Sequence, residues 1–572
     1  MEWKKTYQQW NDFKDIDELV KESLVEMTKD ETKMKDAFYA PLEFGTAGMR
    51  GIIGAGINRM NVYTVRQATD GLGQFIESLG ESEKERGVAI AYDSRHQSPE
   101  FAMAAAETLA SRGIASYVFE SLRPTPELSF AVRHFNCIAG IMITASHNPA
   151  AYNGFKVYGE DGGQMPPHDA DAVTEFVRSI KNPLEIEFKL QEEAGDLITI
   201  IGEEVDAAYL ENIKSVSVNH ELIKRTGKDL KLIFTPLHGT GKMLGECALK
   251  QAGFESFQLV PEQAIADPDF STVTSPNPEE HSAFEYAIKL GEKENAELLV
   301  ATDPDADRLG AAVKKADGSY EVLTGNQLGS LMVHYLLQAQ KDQGTLSEKA
   351  VVLKSIVSSE LSTAICEKFD VKMVNVLTGF KFIAEKIKEY EEDNSQSFVF
   401  GFEESYGYLV QPFVRDKDAI QALLLLAEIA AFYKEKNKTL ADAMEDIYQE
   451  FGYFEEKTIS VTMSGIEGVE KIKQLMKDVR SNIPVDFAGI KVNYYEDYQS
   501  QVRIYASKKE ESIDLPPADV LKFFLKDGSW IAIRPSGTEP KIKFYLGVKG
   551  ENQTETNQKI VAFEQAVNQF ID

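Results

Sequence analysis

Short, wholly apolar runs recur along the chain, each stopped by a polar or glycine-rich turn. Residues 88–92, 138–143, 232–234, 298–301 and 397–400 all read as strands of this kind, as do 350–354 and 371–376. Between them the apolar positions return every three to four residues, over about 99–112, 168–180, 325–339 and from 414 to 433, which is the period of an amphipathic helix. Strand and helix therefore alternate, and the pattern predicts mainly parallel, helix-covered sheets of the α/β class. Residues 1 to about 38 read as charged amphipathic helix, with Trp3, Trp10 and Phe13 near helical spacing. This segment is expected to pack on the body and to carry no chemistry. Beyond about residue 452 the alternation stops, and strands at 530–533 and 542–546 flank a polar loop. No internal sequence repeat or low-complexity segment stands out.

At 572 residues the chain is too long for one hydrophobic core. Breaks in the pattern place four domains at 1–206, 207–322, 323–452 and 453–572. No apolar run approaches the roughly 20 residues needed to cross a bilayer, so no membrane partner is expected. The start, Met1-Glu2-Trp3-Lys4-Lys5, lacks the apolar stretch of a secretory signal, and Cys137, Cys247 and Cys366 are scattered; a cytoplasmic location is expected. The net charge of −30 argues against nucleic acid or an anionic membrane as the main partner. Against that background, Arg and Lys gathered beside glycine-rich turns point to a small anion.

The turns after the strands carry the candidate chemistry. Thr144-Ala145-Ser146-His147-Asn148-Pro149 sets a hydroxyl in a tight loop at a strand's C-terminal tip, where open α/β sheets bind ligands, so Ser146 is a candidate nucleophile. Lys156 follows a loop's length later. The glycine-dense stretch around Phe44-Gly45-Thr46-Ala47-Gly48-Met49-Arg50-Gly51 has no convincing strand before it, yet it lets Arg50 meet a phosphate. Thr235 to Lys242 is not a P-loop, because Pro236 and Met243 stand where that motif needs Gly and a hydroxyl. In Asp303-Pro304-Asp305-Ala306-Asp307-Arg308, carboxylates at alternate positions can converge on a hard divalent cation. It is not an EF-hand, since Arg308 and Lys314 occupy the positions that need Gly and the bidentate Glu. Gly401-Phe402-Glu403-Glu404-Ser405 suits sugar hydroxyls, because carboxylates accept hydrogen bonds from neighbouring OH groups. Arg534-Pro535-Ser536-Gly537-Thr538 has the composition of a phosphate cradle.

Four such motifs in this order resemble the α-D-phosphohexomutase family, which includes phosphoglucomutases and phosphomannomutases. The resemblance covers about residues 40 to 572 and is strongest to the bacterial α-phosphoglucomutases. It implies a four-domain architecture, three related α/β domains with mixed sheets plus a smaller α+β C-terminal domain, around a central cleft. It implies a phosphoryl group on Ser146, one Mg²⁺ per chain held by Asp303, Asp305 and Asp307 with the Ser146 phosphoryl oxygen, and glucose 1,6-bisphosphate as activator and intermediate. The implied partners are small-molecule sugar phosphates, the chain being a monomer or weak homodimer. Lys156, its pKa lowered among cations, is the first candidate base, with Arg50 assisting, Lys417 as an alternative and His147 as a positioning group. The substrate is expected to meet Arg308, Thr378, Gly379, Lys381, Glu403, Ser405 and Arg415, and its distal phosphate Arg534, Ser536, Gly537 and Thr538. Glu404 favours glucose over mannose, whereas Phe402 is similar to a branch that includes phosphopentomutases. The alternatives are thus a phosphomannomutase, a phosphopentomutase or a silent sugar-phosphate binding homologue.

Overall fold

The computed structural model describes residues 2–44, 48–463, 465–536 and 541–571. The chain forms two units, one of residues 1–324, 384–395 and 405–439, the other of 325–383, 396–404 and 440–572. Among the described residues, no helix is long and apolar enough to cross a membrane.

The first unit opens with the expected helical extension, in three pieces: Glu2–Asp12, Glu18–Met27 and Glu31–Phe38. Asp17 and Asp30 start the second and third by accepting hydrogen bonds from exposed backbone N–H groups. Their apolar faces bury Trp3, Trp10, Leu24 and Phe38 against Tyr63.

Two sheets follow in the same unit. The first joins Met49–Ile52 (β1), Val88–Tyr92 (β2), Ser116–Phe119 (β3), Ala139–Ile143 (β4), Tyr152–Gly159 (β5) and Ile198–Ile201 (β6) in the order β1-β5-β4-β2-β3-β6. Strands β4, β2, β3 and β6 run parallel, and β5 and β1 close one side antiparallel. Every residue of β2 and β4 is buried, as continuous apolar runs in a helix-covered parallel sheet require. The second sheet joins Leu232–Thr235 (β7), Phe257–Leu259 (β8), Leu298–Thr302 (β9), Leu309–Lys314 (β10) and Tyr320–Leu323 (β11) in the order β11-β10-β9-β7-β8. Here β8, β7 and β9 are parallel, and β10 and β11 antiparallel.

In the second unit Ala350–Ser355 (β12) lies between Lys372–Val376 (β13) and Ser397–Glu403 (β14), all parallel. The sequence stops this last strand at residue 400. It continues through Gly401 and Phe402 to Glu403 because these residues keep pairing with β12, Gly401 opposite Leu353 and Phe402 opposite Lys354. Gly407–Leu409 (β15) belongs to the first unit, where Gly407 bridges Arg308. The long helix there starts at Ala419, capped by Asp418, rather than at residue 414.

One arrangement recurs in these sheets. In β2-β3-β4, β7-β8-β9 and β12-β13-β14 the first strand is central, the second lies on one side, and the third on the other. The third strand of each set runs into a candidate loop: Ser146 after β4, the aspartates after β9, Glu403 and Glu404 at the end of β14.

The last sheet is antiparallel: Tyr453–Thr462 (β16), Asp486–Phe487 (β17), Ile490–Asp497 (β18), Val502–Tyr505 (β19), Glu510–Ser512 (β20), Leu521–Leu525 (β21), Trp530–Pro535 (β22) and Lys541–Gly550 (β23). Helices Gly465–Ser481 and Gln553–Ile571 accompany it, and its core holds Phe523, Ile531, Phe544 and Phe563. The expected class, α/β domains plus an α+β C-terminal domain, is the observed one.

Candidate active site

Ser146 sits three residues beyond the fully buried strand β4. Thr144 shapes the turn: its Oγ1 accepts the Ser146 N–H at 2.8 Å and donates to Asp93 Oδ2 at 2.6 Å. Ser146 itself takes φ of +51°, a left-handed conformation that a side chain normally avoids. This holds the Oγ of Ser146, a residue only 3% exposed, at 2.7 Å from Asp303 Oδ2 and 3.2 Å from His147 Nδ1.

Asp303, Asp305 and Asp307 are buried, and one oxygen from each lies within 4.8 Å of the others. Ala306, at φ of +50°, turns the loop so that the alternate carboxylates converge. Asp303 Oδ1 accepts the N–H groups of Asp307 and Arg308, at 3.1 and 3.0 Å, which fixes the loop's return. Asp305 Oδ2 accepts Thr125 Oγ1 at 3.0 Å and Lys156 Nζ at 2.7 Å. Asp307 Oδ2 lies 3.1 Å from Lys417 Nζ and 3.6 Å from Lys156 Nζ. Yet Asp305 Oδ1 and Asp307 Oδ1 are buried with no hydrogen-bond partner. Orphaned carboxylate oxygens are costly, so this donor set fits a hard divalent cation. The electrostatics agree. Burial and the charges of Asp305 and Asp307 push Asp303 well above its ordinary value. Burial also disfavours ionised Asp305, but Lys156 outweighs it and holds that carboxyl below the usual range.

The loop after β7 does a job the sequence did not disclose. Thr240 donates from both N and Oγ1 to Pro304 O, at 2.8 and 3.0 Å, in the middle of the aspartate loop. A Cβ on Gly239 would stand 2.3 Å from Pro304 Cα. The segment that fails as a P-loop is thus a buttress for the carboxylates. The signal for it, glycines beside a hydroxyl, was present, but its partner lies far along the chain.

Lys156 corrects an expectation. The sequence predicts a pKa lowered among cations; burial does act in that direction, but Asp305 and Asp307 prevail and raise it. His147 is held well below its ordinary value by burial and by nearby Arg308 and Arg50, so it is neutral beside Ser146 Oγ. Arg50, exposed on β1, donates to Asn148 Oδ1 at 2.8 Å. Arg308 donates through Nη1 to Glu279 Oε1 at 2.7 Å and to Ser405 O at 3.0 Å. The guanidinium of Arg415 goes to Glu391 and to the carbonyls of Pro412 and Val414. Its neighbours join the site instead. Lys417 bridges Asp307 and Asp416, while Asp416 also accepts Tyr158 OH at 2.8 Å and Gln164 Nε2 at 3.1 Å. Thr125 and Tyr158 are members that sequence reasoning missed, lone polar residues without a motif around them, whereas Asp416 lies between the expected Arg415 and Lys417 and was given no role of its own.

The second unit holds the other candidates. Glu403 Oε1 accepts Gly379 N at 2.7 Å, so two expected sugar-binding loops touch; Thr378 Oγ1 there is buried without a hydrogen-bond partner. Lys381 Nζ lies 5.2 Å from the Phe382 ring. Glu404 Oε2 accepts Ser355 Oγ at 2.8 Å and Ser358 Oγ at 3.3 Å. Arg534 is the penultimate residue of β22, where its charge and hydrogen bond oppose the effect of burial on Tyr545, whose hydroxyl is nonetheless raised above its ordinary range. Ser536 N donates to Lys541 O at 2.7 Å. Gly537 and Thr538 lie outside the described residues.

The chain matches, in order, four descriptions of phosphoglucomutase/phosphomannomutase: alpha/beta/alpha domain I over residues 41–183, domain II over 207–318, domain III over 324–451 and the C-terminal domain over 434–562. A phosphoglucomutase of Staphylococcus aureus (strain MSSA476) is 40% identical over 531 residues, 93% of this chain and 94% of its own. The fold is similar to that of pp63/parafusin, a phosphoglucomutase from Paramecium solved in an open form, with TM-score 0.67, 19% identity and coverage of 93% and 96%. It is also similar to Aspergillus fumigatus N-acetylphosphoglucosamine mutase in complex with GlcNAc-6P and magnesium, with TM-score 0.50, 14% identity and coverage of 97% and 100%. Fold and sequence together define an enzyme, an isomerase. The chain belongs to the phosphoglucomutase/phosphomannomutase family.

Proposed function

We propose that the enzyme interconverts α-D-glucose 1-phosphate and D-glucose 6-phosphate, with Ser146 as phosphoryl carrier and glucose 1,6-bisphosphate as intermediate. The observation that carries this reading is Ser146 Oγ at 2.7 Å from Asp303 in a buried carboxylate trio with orphaned oxygens. A serine in that place gains a charge of about −1.5 to −2 when phosphorylated, which is tolerable only beside cations. Asp303, Asp305 and Asp307 would hold Mg²⁺, whose chemistry when bound is to neutralise phosphoryl oxygens and make phosphorus more electrophilic. The magnesium named in the Aspergillus complex supports that choice of ion.

The chain's own residues divide the remaining work. A sugar hydroxyl oxygen bonds to phosphorus as the bond to Ser146 Oγ breaks; the hydroxyl loses a proton and Oγ ends with one. Lys156, kept protonated by Asp305 and Asp307, is assigned the donation of a proton to the departing Ser146 Oγ and takes back the one the sugar hydroxyl loses, while Lys417, against Asp307, holds positive charge beside it. Arg50, exposed above Asn148, meets the incoming phosphate. His147, neutral and 3.2 Å from Oγ, orients the hydroxyl rather than charging. Glu403 reads sugar hydroxyls, and Arg534 and Ser536 grip the phosphate that does not react. The bisphosphate then returns its other phosphoryl group to Ser146. Glucose is preferred to mannose or a pentose because the S. aureus relative is named a phosphoglucomutase. Turnover of glucose, mannose and ribose 1-phosphates with added glucose 1,6-bisphosphate tests this. Glucose should be fastest; a faster pentose or mannose ester would reassign the sugar and leave the transfer chemistry in place.

A further inference from the structure

Arg95 lies directly beneath the Ser146 loop, 2% exposed, with its side chain wholly shielded from solvent. Its Nη2 donates to the carbonyls of Ser146, at 2.6 Å, and Asn148. Its Nη1 donates to those of Pro149 and Tyr152, at 2.9 and 3.0 Å. One planar fork thus gathers carbonyls from the whole segment 146–152. The described peptides are all trans, so a carbonyl turned inward leaves the following N–H facing the other way; for Ser146 that is the N–H of His147.

Asp93 aims the fork. Its Oδ2 lies 3.2 Å from Arg95 Nε, and its Oδ1 accepts the Arg95 N–H at 2.9 Å and Ser98 Oγ at 2.8 Å. The same Oδ2 accepts Thr144 Oγ1, which in turn holds the Ser146 N–H. The Ser146 peptide is therefore gripped on both sides by one network: Arg95 on its carbonyl, Thr144 on its N–H, and Asp93 joining them. A left-handed serine persists only where its surroundings over-determine it, and this network does so.

We infer that Arg95 is the positioning residue of the transfer step, its fork holding the Ser146 loop in the conformation that keeps Oγ within hydrogen-bond reach of Asp303. This rests on the reading of Ser146 as phosphoryl carrier. The role belongs to the geometry of the guanidinium and not to its charge, because Asp93 already offsets the charge while four carbonyls need donors in one plane.

The test follows phosphorylation of Ser146 by glucose 1,6-bisphosphate, in which the phosphoryl leaves a sugar oxygen for Oγ and the serine proton passes to that sugar oxygen. Intact-protein mass gives the rate for the parent, Arg95→Met, Arg95→Lys and Thr144→Val, alongside kcat, KM and thermal midpoint. Misplacing a reacting atom by about 1 Å costs on the order of 100-fold. Arg95→Met should lose about that much in phosphorylation rate and kcat, with KM for glucose 1-phosphate changed by less than about 3-fold. Arg95→Lys, which keeps the charge but not the fork, should not restore kcat, and Thr144→Val should fall with them less than additively in the double variant. Where Arg95→Met does not fold, the other two variants carry the test. Phosphorylation of a folded Arg95→Met at the parent's rate, or full recovery of kcat by Arg95→Lys, overturns the positioning role. A parent that takes no phosphoryl group on Ser146 overturns the reading of the site, and the role of Arg95 falls with it.

Discussion

Asp418 shows how far one residue's charge depends on its surroundings. It caps helix Ala419–Glu435, accepting the N–H groups of Ile420 and Gln421 at 2.9 and 3.0 Å, and it accepts Tyr209 OH at 2.7 Å. Burial nevertheless dominates these bonds and pushes its carboxyl up to about 6. Between about pH 4 and 6 the native state holds a proton that the unfolded state has lost, so stability falls as pH rises through that window, by about 3 kcal/mol in all. Asp418→Asn keeps a capping oxygen and should flatten that slope in urea unfolding across the same range. At Arg534 the expected loss is in binding. Arg534→Ala should weaken glucose 1-phosphate binding by about 1.5–3 kcal/mol, the worth of a charge-assisted hydrogen bond, and leave Ser146 able to accept a phosphoryl group. Failure of the folded variant to become phosphorylated at saturating bisphosphate would move Arg534 into the transfer step. Legibility at this scale follows locality. The aspartates were readable because their spacing alone makes them converge, whereas the charge of Lys156 was misjudged because it is set by Asp305 and Asp307, far along the chain.

Strands and helices were readable where burial is complete. The runs at 88–92 and 298–301 became β2 and β9 almost residue for residue, since a strand buried on both faces must be apolar throughout. Strand β1 was missed because it alternates buried and exposed residues and leans on β5 for its pairing. The strand order shared by the sheets was also hidden, because periodicity names elements and not their neighbours. Its consequence is that the sheets deliver their loops from equivalent positions, and those loops need support from the side. The β7 loop gives such support at Gly239. A methyl there meets Pro304 backbone at 2.3 Å, so Gly239→Ala must displace the aspartate loop. Overpacking of this kind costs about 1–3 kcal/mol. The variant should melt lower than the parent and need more Mg²⁺ for half-maximal activity; an unchanged Mg²⁺ titration would show that the buttress does not position the carboxylates.

For the molecule as a whole, the proposed metal site would tie stability to a cation. With orphaned oxygens on Asp305 and Asp307, Mg²⁺ should raise the melting temperature, by the equivalent of about 2.7 kcal/mol at a hundred times its dissociation constant. EDTA should remove both that gain and the activity, and Mg²⁺ should restore them; full activity in excess chelator would contradict the metal site. The central claim is that Ser146 carries the phosphoryl group. It is tested most directly by incubating the parent and Ser146→Ala with glucose 1,6-bisphosphate, reading intact mass with peptide mapping, and assaying the conversion of glucose 1-phosphate to glucose 6-phosphate. One phosphoryl group is expected on Ser146 of the parent, none on the folded variant, and no steady-state turnover by that variant. Substantial turnover by Ser146→Ala, or a phosphoryl group on another residue of the active parent, would contradict it.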